Sequence, residues 1–227
     1  MRTSPLPRSL SALAALWLAA SAMGAMPADA TAPALVVLGD SLSAGYGIRP
    51  EEGWVALLQR RLESEGYGYQ VVNASVSGET TSGGLARLPR VLASHRPAIL
   101  LVELGANDGL RGLPLGEMQS NLEHILATAR EAHAAVVMIG MQIPANYGAE
   151  YTSRFAATFP AVAKSGRAGL VPFLLARVAL DEANFQADRL HPIAKVQDKL
   201  LDTVWPVLKP LLHASPRAPA AATAVTH

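Results

Sequence analysis

Residues 36–47 read VVLGDSLSAGYG, an apolar run that ends in a turn rich in glycine and serine. Such a stretch is either a strand with a phosphate-binding glycine loop or a strand that presents a serine nucleophile. Gly39, Gly45 and Gly47 fit neither G-x-G-x-x-G nor G-x-x-x-x-G-K-[ST], and an acidic residue within the turn would repel a phosphate. The stretch therefore favours Ser41 as a nucleophile. Gly39 is predicted to make the turn that exposes it, with the other two glycines as loop backbone.

The rest of the chain alternates short apolar runs with longer amphipathic segments. Five runs rich in Val, Ile and Leu predict buried strands at Leu35–Leu38, Gln70–Val72, Ile99–Leu104, Ala135–Met141 and Leu170–Pro172. Between them apolar residues recur at helical spacing, and Pro192 is placed to open the last helix. This alternation is typical of an α/β protein with a parallel sheet covered on both faces. Ligands bind beyond the carboxyl ends of such strands, so function is expected in the loops that follow them.

Both ends of the chain are expected to lie outside the folded domain. Arg2, Arg8, the apolar run 10–20 and the Ala28-Asp29-Ala30 sequence predict a secretory signal peptide over residues 1–30. Residues 31–213 are then one folded domain, and residues 214–227 form a disordered tail rich in Ala and Pro. We expect the mature protein to be periplasmic or secreted.

Charge and cysteine content exclude several classes of protein. Residues 1–30 hold two of the 19 Lys and Arg residues and one of the 18 Asp and Glu residues, so the mature chain is neutral. Neutrality argues against nucleic acid as a partner and against a stable membrane anchor. The chain has no Cys, which excludes disulfides, thiolate metal sites and a cysteine nucleophile. The sequence contains neither H-x-E nor H-E-x-x-H, the patterns that would indicate a zinc hydrolase.

The loops that follow the predicted strands carry residues that suit a nucleophilic mechanism. A serine hydroxyl needs a base within hydrogen-bond reach, and the base needs a group that orients it. Asp188 and His191 lie three residues apart, so we expect Ser41, Asp188 and His191 to form the catalytic triad. The backbone N–H groups of Ser41 and Gly78 and the side-chain amide of Asn107 are the expected oxyanion-hole donors.

These residues stand in four ordered blocks: GDSL at 39–42, Gly78, GAND at 105–108 and DRLHP at 188–192. The blocks resemble those of the SGNH, or GDSL, hydrolase family. Connecting stretches such as VVNASVSGETTSGGLARLP and IPANYG resemble its periplasmic acyl-CoA thioesterase I, lysophospholipase and arylesterase group. The resemblance implies a flavodoxin-like three-layer α/β/α sandwich, no metal or cofactor, and hydrolysis of esters and thioesters through an acyl-enzyme. It also implies that the loop at 143–148 moves over an acyl-binding groove.

Apolar residues flank the expected site and predict a pocket for an acyl chain. They are Leu42, Leu110, Leu113, Ile143, Tyr147 and Leu190. Asp40 and Asp108 are interpreted as scaffold for their loops. The expected partner is a small acyl ester or thioester, and we expect a monomer. Two alternatives stay open: a carbohydrate O-acetyl esterase that uses the same site, and a non-catalytic module that binds an anion or a nucleotide.

Overall fold

The computed structural model describes residues 32–213. The predicted signal peptide and the predicted tail both lie outside the described residues. The five strands are β1 (Ala34–Gly39), β2 (Gln70–Asn73), β3 (Ile99–Glu103), β4 (Ala135–Ile139) and β5 (Gly169–Val171). They form one parallel sheet in the order β2-β1-β3-β4-β5. This is the flavodoxin-like strand order, so the predicted fold class is confirmed.

The helices cover both faces of the sheet and complete a three-layer sandwich. They are α1 (Ser41–Ala44), α2 (Trp54–Ser64), α3 (Thr81–His95), α4 (Ala106–Leu110), α5 (Leu115–Glu131), α6 (Ala149–Gly166) and α7 (Gln197–Leu208). Single 3₁₀ turns lie at Pro50–Glu52, Ala145–Tyr147, Glu182–Asn184, Ala194–Val196 and Lys209–Leu211. One layer contains α3, α5 and α6, and the other contains α2 and α7. None of the helices within residues 32–213 is long and apolar enough to cross a membrane.

The two central strands, β1 and β3, are the most deeply buried part of the sheet. Leu35 to Leu38 of β1 are fully buried, and so are Leu100 to Val102 of β3. Because helices cover both faces, these strands have no solvent-facing side that would require alternating polar residues. Their sequences are therefore continuous apolar runs, which is why the strands were readable from the sequence.

The prediction that the last helix begins at Pro192 is wrong. Pro192 instead pairs with Phe185 in an isolated antiparallel bridge, and the Ile193 N–H donates to the Asn184 carbonyl at 2.9 Å. This pairing holds the chain extended, so α7 begins only at Gln197. Gln197 is buried, and its side-chain oxygen accepts from the Trp54 N–H at 3.1 Å, which anchors the start of α7 to the start of α2.

Candidate active site

The candidate site lies where the strand order reverses, between β1 and β3. Connections from β1 and β3 leave in opposite directions there, and the loops beyond their carboxyl ends diverge to leave a crevice. Ser41 follows β1 directly, and Asn107 follows β3. Gly39 and Glu103, the last residues of these strands, are register partners. The register therefore brings the serine loop and the asparagine loop together although more than sixty residues separate them.

The Ser41 turn is built by local hydrogen bonds. The Asp40 side chain caps α1 by accepting from the Leu42 N–H at 3.0 Å, and Gly45 ends the helix in the left-handed region. This local role of Asp40 is the scaffold role read from the sequence.

The prediction that Gly39 makes the turn is wrong. Gly39 belongs to β1, and a Cβ there would lie 2.7 Å from the Ser43 Cβ and 2.9 Å from the Ser75 Oγ. Glycine is required because neighbouring side chains occupy the space of its Cβ, rather than for an unusual backbone angle. The close packing of Ser43 over the end of β1 depends on this missing side chain.

The structure brings Ser41, His191 and Asp188 into one hydrogen-bonded chain. His191 Nε2 lies 2.8 Å from Ser41 Oγ, and His191 Nδ1 lies 2.7 Å from Asp188 Oδ2. Asp188 Oδ1 accepts from the backbone N–H groups of Leu190 at 2.9 Å and His191 at 3.0 Å. Tyr46 packs on the imidazole with 4.6 Å between ring centroids. With Nδ1 donating to the carboxylate, Nε2 is free to accept the hydroxyl proton of Ser41.

The charge of Asp188 follows from these hydrogen bonds. Partial burial would raise the pKa of its carboxyl, but the Leu190 N–H, the His191 ring and the His191 N–H all stabilise the ionised form and lower that pKa to about 2. Asp188 is therefore a carboxylate throughout the physiological pH range. It can hold the imidazole in one tautomer and stabilise it when protonated.

The candidate oxyanion donors line the same cavity as Ser41. Gly78 has a φ of 78°, a conformation that favours glycine, and its carbonyl accepts from Arg111 Nη2 at 2.8 Å. Asn107 Nδ2 donates to Asp40 Oδ2 at 3.1 Å. An amide NH₂ has two hydrogens, so the second remains for a ligand in the cavity.

Asp108 fixes the Asn107 loop from behind. Its carboxylate accepts from the Thr81 N–H at 2.9 Å and from the Thr81 hydroxyl at 2.6 Å. Asn121 in turn donates to the Thr81 hydroxyl at 3.1 Å. Asp108 is buried and does not line the cavity, which agrees with the scaffold role expected from the sequence.

Residues 37–199 match the model of the GDSL-like lipase/acylhydrolase family. The chain belongs to this family. It is 50% identical to the esterase TesA of Pseudomonas aeruginosa over 81% of this chain and 92% of that protein. It is 42% identical to an arylesterase of Vibrio mimicus, over 75% and 85% respectively. With thioesterase 1/protease 1/lysophospholipase L1 of Escherichia coli K12 it shares 41% identity, over 81% and 87%.

Solved structures of GDSL-like relatives have the same fold. A crystal structure of TesA superposes with a TM-score of 0.77 at 50% identity, covering 79% of this chain and 99% of that one. The psychrotrophic esterase EstA from Pseudoalteromonas, solved with monoethylphosphonate as inhibitor, gives 0.75 at 39% identity, covering 78% and 97%. The resemblance to SGNH hydrolases noted from the four blocks is thus confirmed.

In this GDSL-like hydrolase the candidate site opens into a cavity of about 440 Å³. Four of the residues predicted to bind substrate lie on its wall: Leu42, Leu110, Ile143 and Leu190. Residues that the sequence reading missed complete the apolar wall: Met141, Phe173, Leu175, Ala179 and Phe185. Met141 follows β4 and was assigned to a predicted strand, whereas the other four lie in the segment 173–185 after β5, which carried no prediction.

Tyr147 and Leu113 do not lie on that wall. The Tyr147 hydroxyl donates to the carbonyl of Leu110, the last residue of α4, at 2.9 Å. Leu113 is also outside the wall, and its carbonyl accepts from the Tyr151 hydroxyl at 3.0 Å. Neither residue lines the cavity, and contact of Tyr147 and Leu113 with a substrate stays a prediction.

Gln186 is a further site residue that the sequence reading missed. Its side-chain amide donates to the Tyr46 carbonyl at 2.8 Å, and its backbone N–H donates to the His191 carbonyl at 2.8 Å. It therefore connects the loop that carries His191 to the loop that carries Ser41. A Cβ on Gly47 would overlap the Gln186 side chain, so glycine is required there. Glutamine in a loop carries no sequence signal for such a role.

No group of three or more His, Cys, Asp or Glu side chains within residues 32–213 is arranged to hold a metal ion.

Proposed function

We propose that this protein is an exported serine hydrolase that cleaves carboxylic esters and thioesters through a Ser41–His191–Asp188 triad. The observation that carries the proposal is the pair of short hydrogen bonds from Asp188 through His191 to Ser41, at the mouth of an apolar cavity. Membership of the GDSL-like lipase/acylhydrolase family supports the same class of reaction. Relatives named esterase, arylesterase and thioesterase support it further.

In the first half of the proposed mechanism, Ser41 Oγ attacks the acyl carbonyl carbon while His191 Nε2 takes the hydroxyl proton. The proton then passes from His191 to the leaving alcohol or thiol as its bond to the acyl carbon breaks. In the second half, His191 takes a proton from the water that attacks the acyl carbon. It returns this proton to Ser41 Oγ as the bond between Ser41 and the acyl carbon breaks and the carboxylic acid leaves. Asp188 keeps His191 oriented and stabilises the imidazolium in both halves.

The carbonyl oxygen becomes negatively charged in both tetrahedral intermediates. The backbone N–H groups of Ser41 and Gly78 and the free amide hydrogen of Asn107 are the proposed donors. All three residues line the cavity together with His191. Each such donor is worth about 10²–10³ in turnover, because it strengthens when charge develops on the oxygen.

The wall residues of the cavity support an acyl chain as the group that enters it. Each buried methylene contributes about 0.8 kcal/mol, or about fourfold in kcat/KM. The expected substrate profile therefore rises with chain length until the cavity is full. Longer chains gain nothing more because their ends stay in water.

The proposed export rests on the signal features at residues 1–30 alone. Positive residues, an apolar run and an A-x-A site occur there in the order of a secretory leader.

A substrate series tests the proposed reaction. p-Nitrophenyl esters and acyl-CoA thioesters of increasing chain length would be hydrolysed by the wild type, and a fluorophosphonate would label Ser41. Ser41→Ala is expected to lose both hydrolysis and labelling, whereas Ser153→Ala, on the exposed face of α6, is the matched control. Undiminished hydrolysis by Ser41→Ala would refute the mechanism.

Two other outcomes would support the alternatives. Activity confined to acetylated carbohydrate would support the O-acetyl esterase. Failure of the wild type to label, together with nucleotide or anion binding, would support the non-catalytic module.

A further inference from the structure

Glu103 is a buried acid that the proposed mechanism does not use. It is the last residue of β3, it is fully buried, and its register partner Gly39 immediately precedes the serine loop. Among residues 32–213 no Lys, Arg or His forms an ion pair with it. Burying a carboxyl without a cation is costly, so its presence calls for a physical reason.

One oxygen of Glu103 accepts hydrogen bonds from residues on both sides of Ser41 in the chain. Glu103 Oε2 accepts from the Ser43 hydroxyl at 2.7 Å and from the Asp40 N–H at 3.3 Å. Asp40 immediately precedes Ser41, and Ser43 follows it by two residues. Ser43 is itself buried, so without Glu103 its hydroxyl would have neither this hydrogen bond nor a water molecule to replace it. The carboxyl thus supports the turn that carries Ser41 from beneath.

The second oxygen of Glu103, Oε1, bears on whether this carboxyl is protonated. Glu103 Oε1 is buried and has no donor among the residues that the structure describes. Burial and then the charge of neighbouring Asp40 raise the pKa of Glu103 well above its usual range. A neutral carboxylic acid carries an O–H, which the neighbouring Asp40 carboxylate can accept. Protonation therefore turns an unpaired acceptor into a donor.

Asp40 extends the connection to the second catalytic loop. Its Oδ1 accepts from the Leu42 N–H at 3.0 Å and its Oδ2 accepts from Asn107 Nδ2 at 3.1 Å. Burial raises the pKa of Asp40 to about 6, so it is ionised at neutral pH and can accept every one of these hydrogen bonds. Glu103 and Asp40 together set the nucleophile turn and the amide of the proposed oxyanion hole.

We propose that Glu103 is a positioning residue that acts as a neutral carboxylic acid beneath the nucleophile turn. It orients Ser41 through Ser43 and the Asp40 peptide, and it orients the Asn107 amide through the Asp40 carboxylate. The inference rests on the Ser41 nucleophile proposed above. It predicts that the shape and hydrogen bonds of Glu103 matter to turnover, whereas a negative charge there does not.

Two substitutions separate shape from charge. Glu103→Gln keeps an acceptor for Ser43 and supplies an N–H donor for Asp40, so kcat is expected to stay within about threefold of the wild type. Glu103→Leu has similar volume but leaves the Ser43 hydroxyl and the Asp40 N–H unpaired. Its kcat is expected to fall about 10- to 100-fold with KM within about twofold, because the nucleophile is misplaced while the acyl cavity is unchanged.

The control and the second readout exclude a general loss of stability. Val204→Ala creates a cavity under α7, away from the nucleophile turn, and is expected to lower the melting temperature but to keep kcat. The rate at which a fluorophosphonate labels Ser41 measures nucleophile placement without a natural substrate. It is expected to fall in Glu103→Leu and to stay close to the wild-type rate in Glu103→Gln.

Three results would overturn the inference. They are an unchanged kcat in Glu103→Leu, a loss in Glu103→Gln as large as in Glu103→Leu, and, if Glu103→Leu does not fold, an unchanged kcat in Ser43→Ala. Ser43→Ala removes one donor only and is expected to lower kcat about 3- to 10-fold. A wild type that does not label at Ser41 would overturn the proposed nucleophile and this inference with it, whereas a labelled wild type with indifferent variants would overturn the inference alone.

Discussion

The side-chain amide of Asn107 is proposed to serve two purposes. One hydrogen goes to Asp40 Oδ2 and the other is free in the cavity. The first bond fixes the direction of the second, so the amide is oriented before a substrate arrives. An oriented dipole stabilises developing charge without reorganisation, which is the physical basis of an oxyanion hole.

Asn107→Ala is expected to lower kcat about 10²–10³-fold, because the amide contact strengthens only when charge develops on the substrate oxygen. Circular dichroism is expected to show a folded protein. The measurement is steady-state hydrolysis of a p-nitrophenyl ester. Asn121→Ala, which removes only a hydrogen bond to Thr81, is the matched control and is expected to keep kcat within about twofold. Equal losses in the two variants would contradict the assigned role.

The buried carboxyls predict an unusual dependence of stability on pH. A carboxyl with a higher pKa in the folded state binds its proton more tightly when folded. The free energy of unfolding therefore falls as the pH rises from the unfolded pKa to the folded one. For Glu103 this fall begins near its ordinary pKa of 4.5, and for Asp40 it runs from 3.8 to about 6. The lowered pKa of Asp188 acts in the opposite direction, with stability lost as the pH falls from 3.8 to about 2.

Glu103→Gln is expected to gain stability relative to the wild type as the pH rises from 4 to 8. The amide cannot ionise, so the contribution of Glu103 to the fall is absent from the variant. Asp188 is common to both proteins and cancels in the difference. Urea unfolding at a series of pH values measures this difference in the free energy of unfolding between the variant and the wild type. A difference that does not change with pH would show that Glu103 titrates normally.

At the scale of elements, the 185–192 segment behaves as a clamp rather than as the start of a helix. The bridge between Phe185 and Pro192 closes it, and Gln186 fastens it to the loop that carries Ser41. Arg189 adopts a left-handed conformation inside it, with a φ of 59°. The clamp places His191 over Ser41 without help from a long element of secondary structure.

Gly47→Ala is expected to disturb this clamp. The residue has a φ of 74°, and its new Cβ would overlap the Gln186 side chain. Gly66→Ala is the matched control, since Gly66 has a φ of 80° with nothing within 4 Å of its Cβ position. Both variants lose about 1–2 kcal/mol to backbone strain, but only Gly47→Ala is expected to lose further stability and kcat.

The double variant Gly47→Ala/Gln186→Ala identifies the steric part of that loss. Removing the Gln186 side chain also removes the overlap, so the two substitutions are expected to cost less together than the sum of their separate costs. Strict additivity in thermal and urea unfolding would mean that the two residues do not interact.

At the scale of the whole molecule, the strand order creates the site. β1 and β3 are adjacent in the sheet but lie about sixty residues apart in the chain. Their connections run to opposite faces, so a crevice forms between them whatever side chains it contains. The family chemistry then depends on which residues the loops place at its edge.

Export belongs to the same scale and is expected to leave the domain intact. In a bacterial host with a periplasm, the full chain is expected in the periplasmic fraction with Thr31 as its first residue. A variant lacking residues 2–30 is expected to stay in the cytoplasm with the same kcat, because the proposed catalytic residues all lie within 32–213. Mass spectrometry of the two fractions provides the measurement. An uncleaved chain in the cytoplasm would contradict the prediction.

The amino-acid sequence by itself determined the α/β class, the five strands and the family, and it supplied the residues proposed to carry the catalytic chemistry. These depend on local patterns, because buried strands need continuous apolar runs and a nucleophile needs particular side chains. The tertiary structure alone decided the contribution of Glu103 and Gln186, the spatial reason for Gly39, the late start of α7 and the position of Tyr147 outside the cavity. Each of these depends on which distant side chain occupies a neighbouring space, and packing between distant segments is not encoded in any local pattern.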